Sequence, residues 1–182
     1  VAAAVPSAVE AILDLLEVDA EHCEALRDVI GSRESGNAQR GGHMISPELI
    51  RRYPFFWCIN DAQQKAIAMI AREVAVKAGT ELFAEGQPAD TLYLLMDGSV
   101  VLCLPTTDAS GRAAQCIHVG DINPGEVFGI SAMLPDQTYT STAEAKSDSR
   151  VMAIDAAELR KLMATDLAMG NCLLQQMART AL

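Results

Sequence analysis

The chain has 182 residues, half of them hydrophobic, and a formal net charge of −10. That apolar content excludes a largely disordered chain, and the length suits one ordinary domain plus an appendage. The charge has the wrong sign for attraction to nucleic-acid phosphates or anionic lipids, and residues 1–43, with 3 basic and 8 acidic side chains, carry only half of it.

Residues 7–30 read as an amphipathic helix, with Val9, Ile12, Leu13, Leu16, Cys23, Leu26 and Ile30 near a 3.6-residue period. Residues 31–42 carry four glycines and no large apolar side chain, the composition of a linker. A second beginning follows at Met44. Ser46 can cap a helix, Pro47 suits its first position and Glu48 favours its positive end. Two readings of residues 1–43 stay open. Either they are a cloning-derived extension, since Gly41-Gly42-His43-Met44 resembles a vector scar, or they form a native helix that docks on the domain or on a partner. The division expected is therefore 1–43 and 44–182.

Helical pattern runs from Leu49 through Arg52, and an aromatic knot follows at Tyr53-Pro54-Phe55-Phe56-Trp57. Core packing where two helices meet accounts for the knot better than peptide or base stacking does. Asn60 or Asp61 can cap a second helix over 61–72, with Ile67, Ile70 and Ala71 on its buried face.

After Glu73 the pattern changes to short strands and glycine turns. Strands are expected around 74–76, 82–83, 92–96, 100–104, 115–119, 139–145 and 149–154, with Asp97-Gly98 as a hairpin signal. About eight short strands at this spacing indicate an antiparallel sandwich or barrel, not a parallel sheet. Asp155 then caps a helix at capping-box spacing from Glu158, and Asp166 restarts a last helix carrying Leu167, Gly170, Leu173, Leu174 and Met177.

Helices, a glycine-punctuated β-region and two closing helices resemble the cyclic nucleotide-binding domain family over roughly residues 48–182. The matching residues are Gly79, Leu82-Phe83, Glu85-Gly86, Ala89, Leu92-Tyr93, Gly98-Ser99-Val100 and Pro124-Gly125-Glu126-Val127-Phe128-Gly129. The resemblance implies an α+β, mainly β fold: an antiparallel double-stranded β-helix, or jelly-roll-like β-roll, over about 73–154. N-terminal helices flank it on one side and two closing helices over 156–182 on the other. It also implies a phosphate-binding loop at 125–135 that opens a short helix, where unpaired N–H groups attract an anion. Gly125, Phe128, Gly129, Ile130, Ser131, Ala132, Thr138, Tyr139 and Thr140 are the candidate ligand-binding residues, and Ser131 is the best single one.

In relatives that bind cyclic AMP or GMP, a Glu directly after the Phe-Gly pair holds the ribose, and an Arg beyond the Pro pairs with the phosphate. Here the first position holds Ile130, the second falls on Thr138 or Tyr139, and no Arg or Lys lies between Arg112 and Lys146. A hydrogen bond to a charged group contributes about 1.5–3 kcal/mol, so the missing arginine alone removes roughly one to two decades of affinity. The expectation is a regulatory ligand-sensing module with an altered pocket and weak or no binding of cyclic AMP or GMP. The alternative is a degenerate domain kept for protein interaction or assembly. A cyclic nucleotide or other small anionic molecule is the only ligand class implied, with no resident cofactor or metal.

Other features are weaker. The five cysteines (Cys23, Cys58, Cys103, Cys116, Cys172) are odd in number and lack CxxC spacing, which points to buried free thiols in a reducing compartment. No apolar run approaches the roughly 18 residues that span a bilayer. Val1–Val5 has no basic segment and is too short for a secretory signal, so a cytoplasmic address is expected. His118 reads as structural. Asp136 and Glu144 form no acid/base pair, and no enzymatic arrangement is recognisable. Residues 167–182 offer a homodimer face, unless that face packs on its own β-roll. Unless the chain is a piece of a longer protein, no DNA-binding role is expected, because it is acidic and no helix-turn-helix follows the last helix.

Overall fold

The computed structural model describes residues 43–107 and 113–180. The expected helix over 7–30, the linker over 31–42 and Cys23 lie outside the described residues.

Each helix begins where the local chemistry requires. Ser46 accepts from the Leu49 N–H at 3.3 Å and Pro47 opens α1 (Pro47–Ile50), after which Pro54–Phe56 forms a 3-10 turn. At α2 (Asp61–Ile70), Asn60 accepts from the Gln63 N–H at 3.0 Å while the Gln63 side chain accepts from the Asn60 N–H at 2.8 Å. This reciprocal capping satisfies two otherwise orphaned donors. α2 ends at Ile70, short of the expected 72, because Ala71 is already paired with Ile154 in a sheet.

Nine strands occur among the described residues: β1 (His43–Met44), β2 (Ala71–Val76), β3 (Glu81–Phe83), β4 (Thr91–Asp97), β5 (Val100–Thr107), β6 (Ala113–Ile122), β7 (Val127–Phe128), β8 (Thr142–Ala145) and β9 (Ser149–Asp155). They build a five-stranded sheet in the order β1-β2-β9-β4-β7 and a four-stranded sheet in the order β3-β8-β5-β6, with antiparallel neighbours throughout. The expected antiparallel β-roll is thus present. Its interior holds Phe83, Leu95, Val100, Phe128, Tyr139 and Val151.

The five-stranded sheet is covered on its other face as well. Leu92 and Leu94 of β4 and Met152 and Ile154 of β9 pack with Ile50, Phe56, Ile67, Leu159 and Leu173 from the helices. Burial on both faces explains why Val151-Met152-Ala153-Ile154 is apolar without alternation, since neither side of this stretch meets water. Within the aromatic knot, Phe55 and Phe56 are buried and meet edge to face at 4.9 Å, whereas Trp57 stands exposed.

Asp155 caps α3 (Ala156–Thr165) by accepting from the Glu158 N–H at 2.9 Å. Asp166 then accepts from the Met169 N–H at 3.0 Å at the start of α4 (Leu167–Thr180). Gly170 lets α4 approach α3, because a Cβ there would lie 2.9 Å from the Met163 carbonyl oxygen. Met169, Leu173 and Met177 bury the inner face of α4, and Leu167 and Leu174 stay exposed on the outer face.

The expectation of free thiols is corrected. Four cysteines are not free thiols: Cys58 joins Cys172 and Cys103 joins Cys116, across 114 and 13 residues of sequence. Packing brings each pair together, and sequence spacing cannot register that. The argument for a reducing compartment loses the free thiols it rested on. His118 lies exposed on β6 with Nε2 3.0 Å from Asp121 Oδ1.

Candidate ligand-binding site

Val127 and Phe128 enter the site as β7, paired with Leu94 and Tyr93 of β4. Gly129 then turns the chain at φ +72°, where a Cβ would lie 3.2 Å from the Thr91 carbonyl oxygen and 3.3 Å from the Tyr139 ring. Both the left-handed backbone and the close approach require glycine. The next element, Ile130–Met133, is the short helix expected after the loop, in 3-10 form. So short a turn aligns few peptide dipoles, and the argument for anion binding at a helix N-terminus loses most of its force.

The return leg is fixed by backbone pairing. The Gly86 N–H donates to Tyr139 O at 2.8 Å, and the Tyr139 N–H donates to Gln87 O at 2.9 Å. Tyr139 is buried, its ring stacked on Phe83 at 3.8 Å with the planes 11° apart. Its hydroxyl donates to Thr91 O at 2.7 Å and accepts from the Thr91 N–H at 3.3 Å. Burial pushes the phenol pKa well above the ordinary tyrosine value, so the group is neutral.

The two legs meet at Ser131 and Thr140, whose hydroxyl oxygens are 3.4 Å apart. Around them lies a cavity of about 210 Å³, lined by Phe128, Gly129, Ile130, Ser131, Tyr139 and Thr140 from the loop. Leu102, Ile122 and Thr180 close it, and none of its lining side chains is charged. A neighbouring cavity of about 570 Å³ contains the charges: Asp121, Glu126 and Arg179, beside Gly125 and Gln176. Thr180 lines both cavities.

The nine expected site residues therefore separate. Six line the smaller cavity, and Gly125 lines the larger one. Ala132 is fully buried and presents only its carbonyl oxygen, which accepts from Arg160 Nη1 of α3. Thr138 is exposed, lines neither cavity and donates to Asp136 O at 3.0 Å. Sequence reasoning missed Arg160, Leu102, Ile122 and Thr180. Strand pairing brings Leu102 and Ile122 to the cavity, and α4 brings Thr180 from forty residues along the chain, so no local signal marked them. Among the described residues, no group of three or more His, Cys, Asp or Glu could hold a metal ion.

The sequence profile of the cyclic nucleotide-binding domain matches residues 73–166. The chain belongs to the cyclic nucleotide-binding domain family. A crystal structure from Geobacter metallireducens, of a protein assigned to cyclic nucleotide binding, is 35% identical with a TM-score of 0.66, covering 76% of this chain and 96% of that one. A CRP-like cAMP-activated global transcriptional regulator of Mycobacterium tuberculosis is 26% identical over 132 residues, 72% of this chain and 57% of the regulator. A cyclic nucleotide-gated potassium channel of Mesorhizobium japonicum is 22% identical over 124 residues, 68% of this chain and 32% of the channel. The chain thus spans about a third to three fifths of these two relatives. Such cyclic nucleotide-binding domains serve regulators and channels, and this one is a regulatory module of the same kind.

Proposed function

We propose that residues 44–182 form a ligand-sensing unit whose pocket departs from the cyclic nucleotide pattern and binds cyclic AMP and cyclic GMP weakly or not at all. One observation carries this reading: the cavity at the loop has no charged lining residue. Ile130 stands where a ribose acceptor is expected. Of the two candidates for the arginine position, Tyr139 is a buried neutral ring and Thr138 lines neither cavity. A volume of about 210 Å³ is also below the roughly 300–1,000 Å³ usual for pockets that hold drug-sized molecules. The ligand favoured is small and polar, engaged by the Ser131 and Thr140 hydroxyls.

Calorimetric titration with cyclic AMP, cyclic GMP and cyclic dinucleotides tests the proposal. The expected result is no heat of binding for the first two at micromolar concentration, and micromolar affinity for either overturns it. Ile130→Glu combined with Thr140→Arg, which adds a cation to the cavity lining beside the expected arginine position, should then raise affinity by about one to two decades, the value of one charged pair.

A second reading, assembly through protein contacts, is favoured by Leu167 and Leu174, exposed one heptad apart on α4. In this reading residues 167–182 of two copies pair as a homodimer. Residues 1–43 are taken as a separate appendage, and catalysis forms no part of either reading. A cytoplasmic address is included because a transcriptional regulator is among the relatives, and fractionation of the source cells tests it.

A further inference from the structure

α4 is the element that reaches the cavities last. Gln176, Arg179 and Thr180 on its final turns line the larger cavity, and Thr180 lines the smaller one too. Its inner face is held by burial of Met169, Leu173 and Met177, and its start by Gln63 Nε2 donating to Asp166 Oδ2. One covalent bond adds to these contacts. Cys172, in the second turn of α4, is joined to Cys58, which lies between the first 3-10 turn and α2.

The two disulfides differ in what they restrain. Cys103 and Cys116 sit on β5 and β6, neighbours already held by an antiparallel ladder on both sides of its register shifts at Leu102/Cys103 and Thr106/Thr107, and only 13 residues apart. Breaking that bond frees no element. Cys58 and Cys172 join the N-terminal helical segment to the closing helix across 114 residues, with Cα atoms 6.1 Å apart. Between those two segments there is no strand ladder, only side-chain packing and the Gln63–Asp166 hydrogen bond. Cys58 is exposed and Cys172 half-buried, so a thiolate would approach the bond from the Cys58 side.

We propose that Cys58–Cys172 is an exchangeable disulfide that clasps α4, and that a dithiol opens it and frees the helix over the cavities. In the step, one thiolate of the dithiol attacks Cys58 Sγ, the Cys58–Cys172 bond breaks and Cys172 leaves as a thiolate. The second thiol of the dithiol then displaces Cys58. The dithiol ends as a disulfide, and the two cysteines gain two electrons and two protons. Closing this long loop restrains the opened chain most strongly, so loss of the bond is felt first where packing alone remains. The proposal rests on the position of α4 and not on any ligand, so nucleotide affinity in either direction leaves it intact.

The test uses the full chain carrying Cys23→Ser, which removes the fifth thiol as a shuffling partner. Peptide mapping by mass spectrometry first establishes the 58–172 linkage in the oxidised protein. Hydrogen exchange is then followed with and without dithiothreitol. Amides of residues 168–180 should exchange at least about tenfold faster after reduction, while those of β4 and β9 keep their protection. The Cys58→Ser/Cys172→Ser variant should show the fast pattern without reductant, and Cys103→Ser/Cys116→Ser should leave α4 protected. Absence of the linkage overturns the proposal, as does unchanged α4 exchange on reduction. Protection lost throughout both sheets also overturns it, because the bond would then be a staple of the whole fold.

Discussion

Tyr139 links the two functions of its loop, since it lines the cavity and is also part of the β-roll interior. Tyr139→Phe keeps the stack on Phe83 and removes the hydroxyl that serves both the carbonyl and the N–H of Thr91. A loss of about 1 kcal/mol is expected in urea denaturation, with an unchanged m-value. The sign of its pH dependence follows from the raised phenol pKa, which burial causes. The contribution is full below the ordinary tyrosine value of about 10 and falls above it, where the unfolded chain gains by ionising. A wild-type to Phe difference that already varies between pH 5 and 8 would contradict this assignment.

At the scale of elements, Asp166 holds the junction between α3 and α4. Its carboxylate accepts first from Gln63 Nε2 and then from the Met169 N–H, and both hold its pKa below the usual carboxylate range. A depressed folded-state pKa gives stability that is present above the unfolded value of about 3.9 and is lost as pH falls through the folded one. Asp166→Ala should therefore melt below the parent at pH 7, with the gap closing as pH falls below the carboxylate range. Thermal melts across that range check it, and a gap that persists in acid would mean the charge is irrelevant to the junction. Arg160, which donates to the Ala132 carbonyl, ties the loop to α3, and Gly170 packs α3 on α4. The loop, α3 and α4 thus form a contiguous series of contacts from cavity to closing helix.

At the scale of the molecule, the outer face of α4 decides between sensing alone and sensing with assembly. If Leu167 and Leu174 form a homodimer seam, sedimentation should find a dimer, and Leu174→Glu should convert it to a monomer without lowering the melting temperature by more than a few degrees. Leu174 is half exposed, so the substitution removes little from the domain's own core. A monomeric parent would leave the face without this role.

Punctuation and composition determined a good deal on their own. Ser46, Asn60 and Asp155 marked helix starts because capping is a local interaction, and Gly129 marked the loop because only glycine suits its backbone. The glycine spacing between Gly79 and Gly129 was enough to suggest the β-roll. What tertiary structure alone decided are contacts between residues far apart in the chain. Sequence could not tell that β9 is covered on both faces, that Tyr139 lies buried on Phe83, or that α4 brings Thr180 to the loop. Nor could spacing pair Cys58 with Cys172, since a bond across 114 residues exists only once packing has placed both ends. Local chemistry is written in neighbouring residues, whereas a cavity is shared by segments that only the fold brings together.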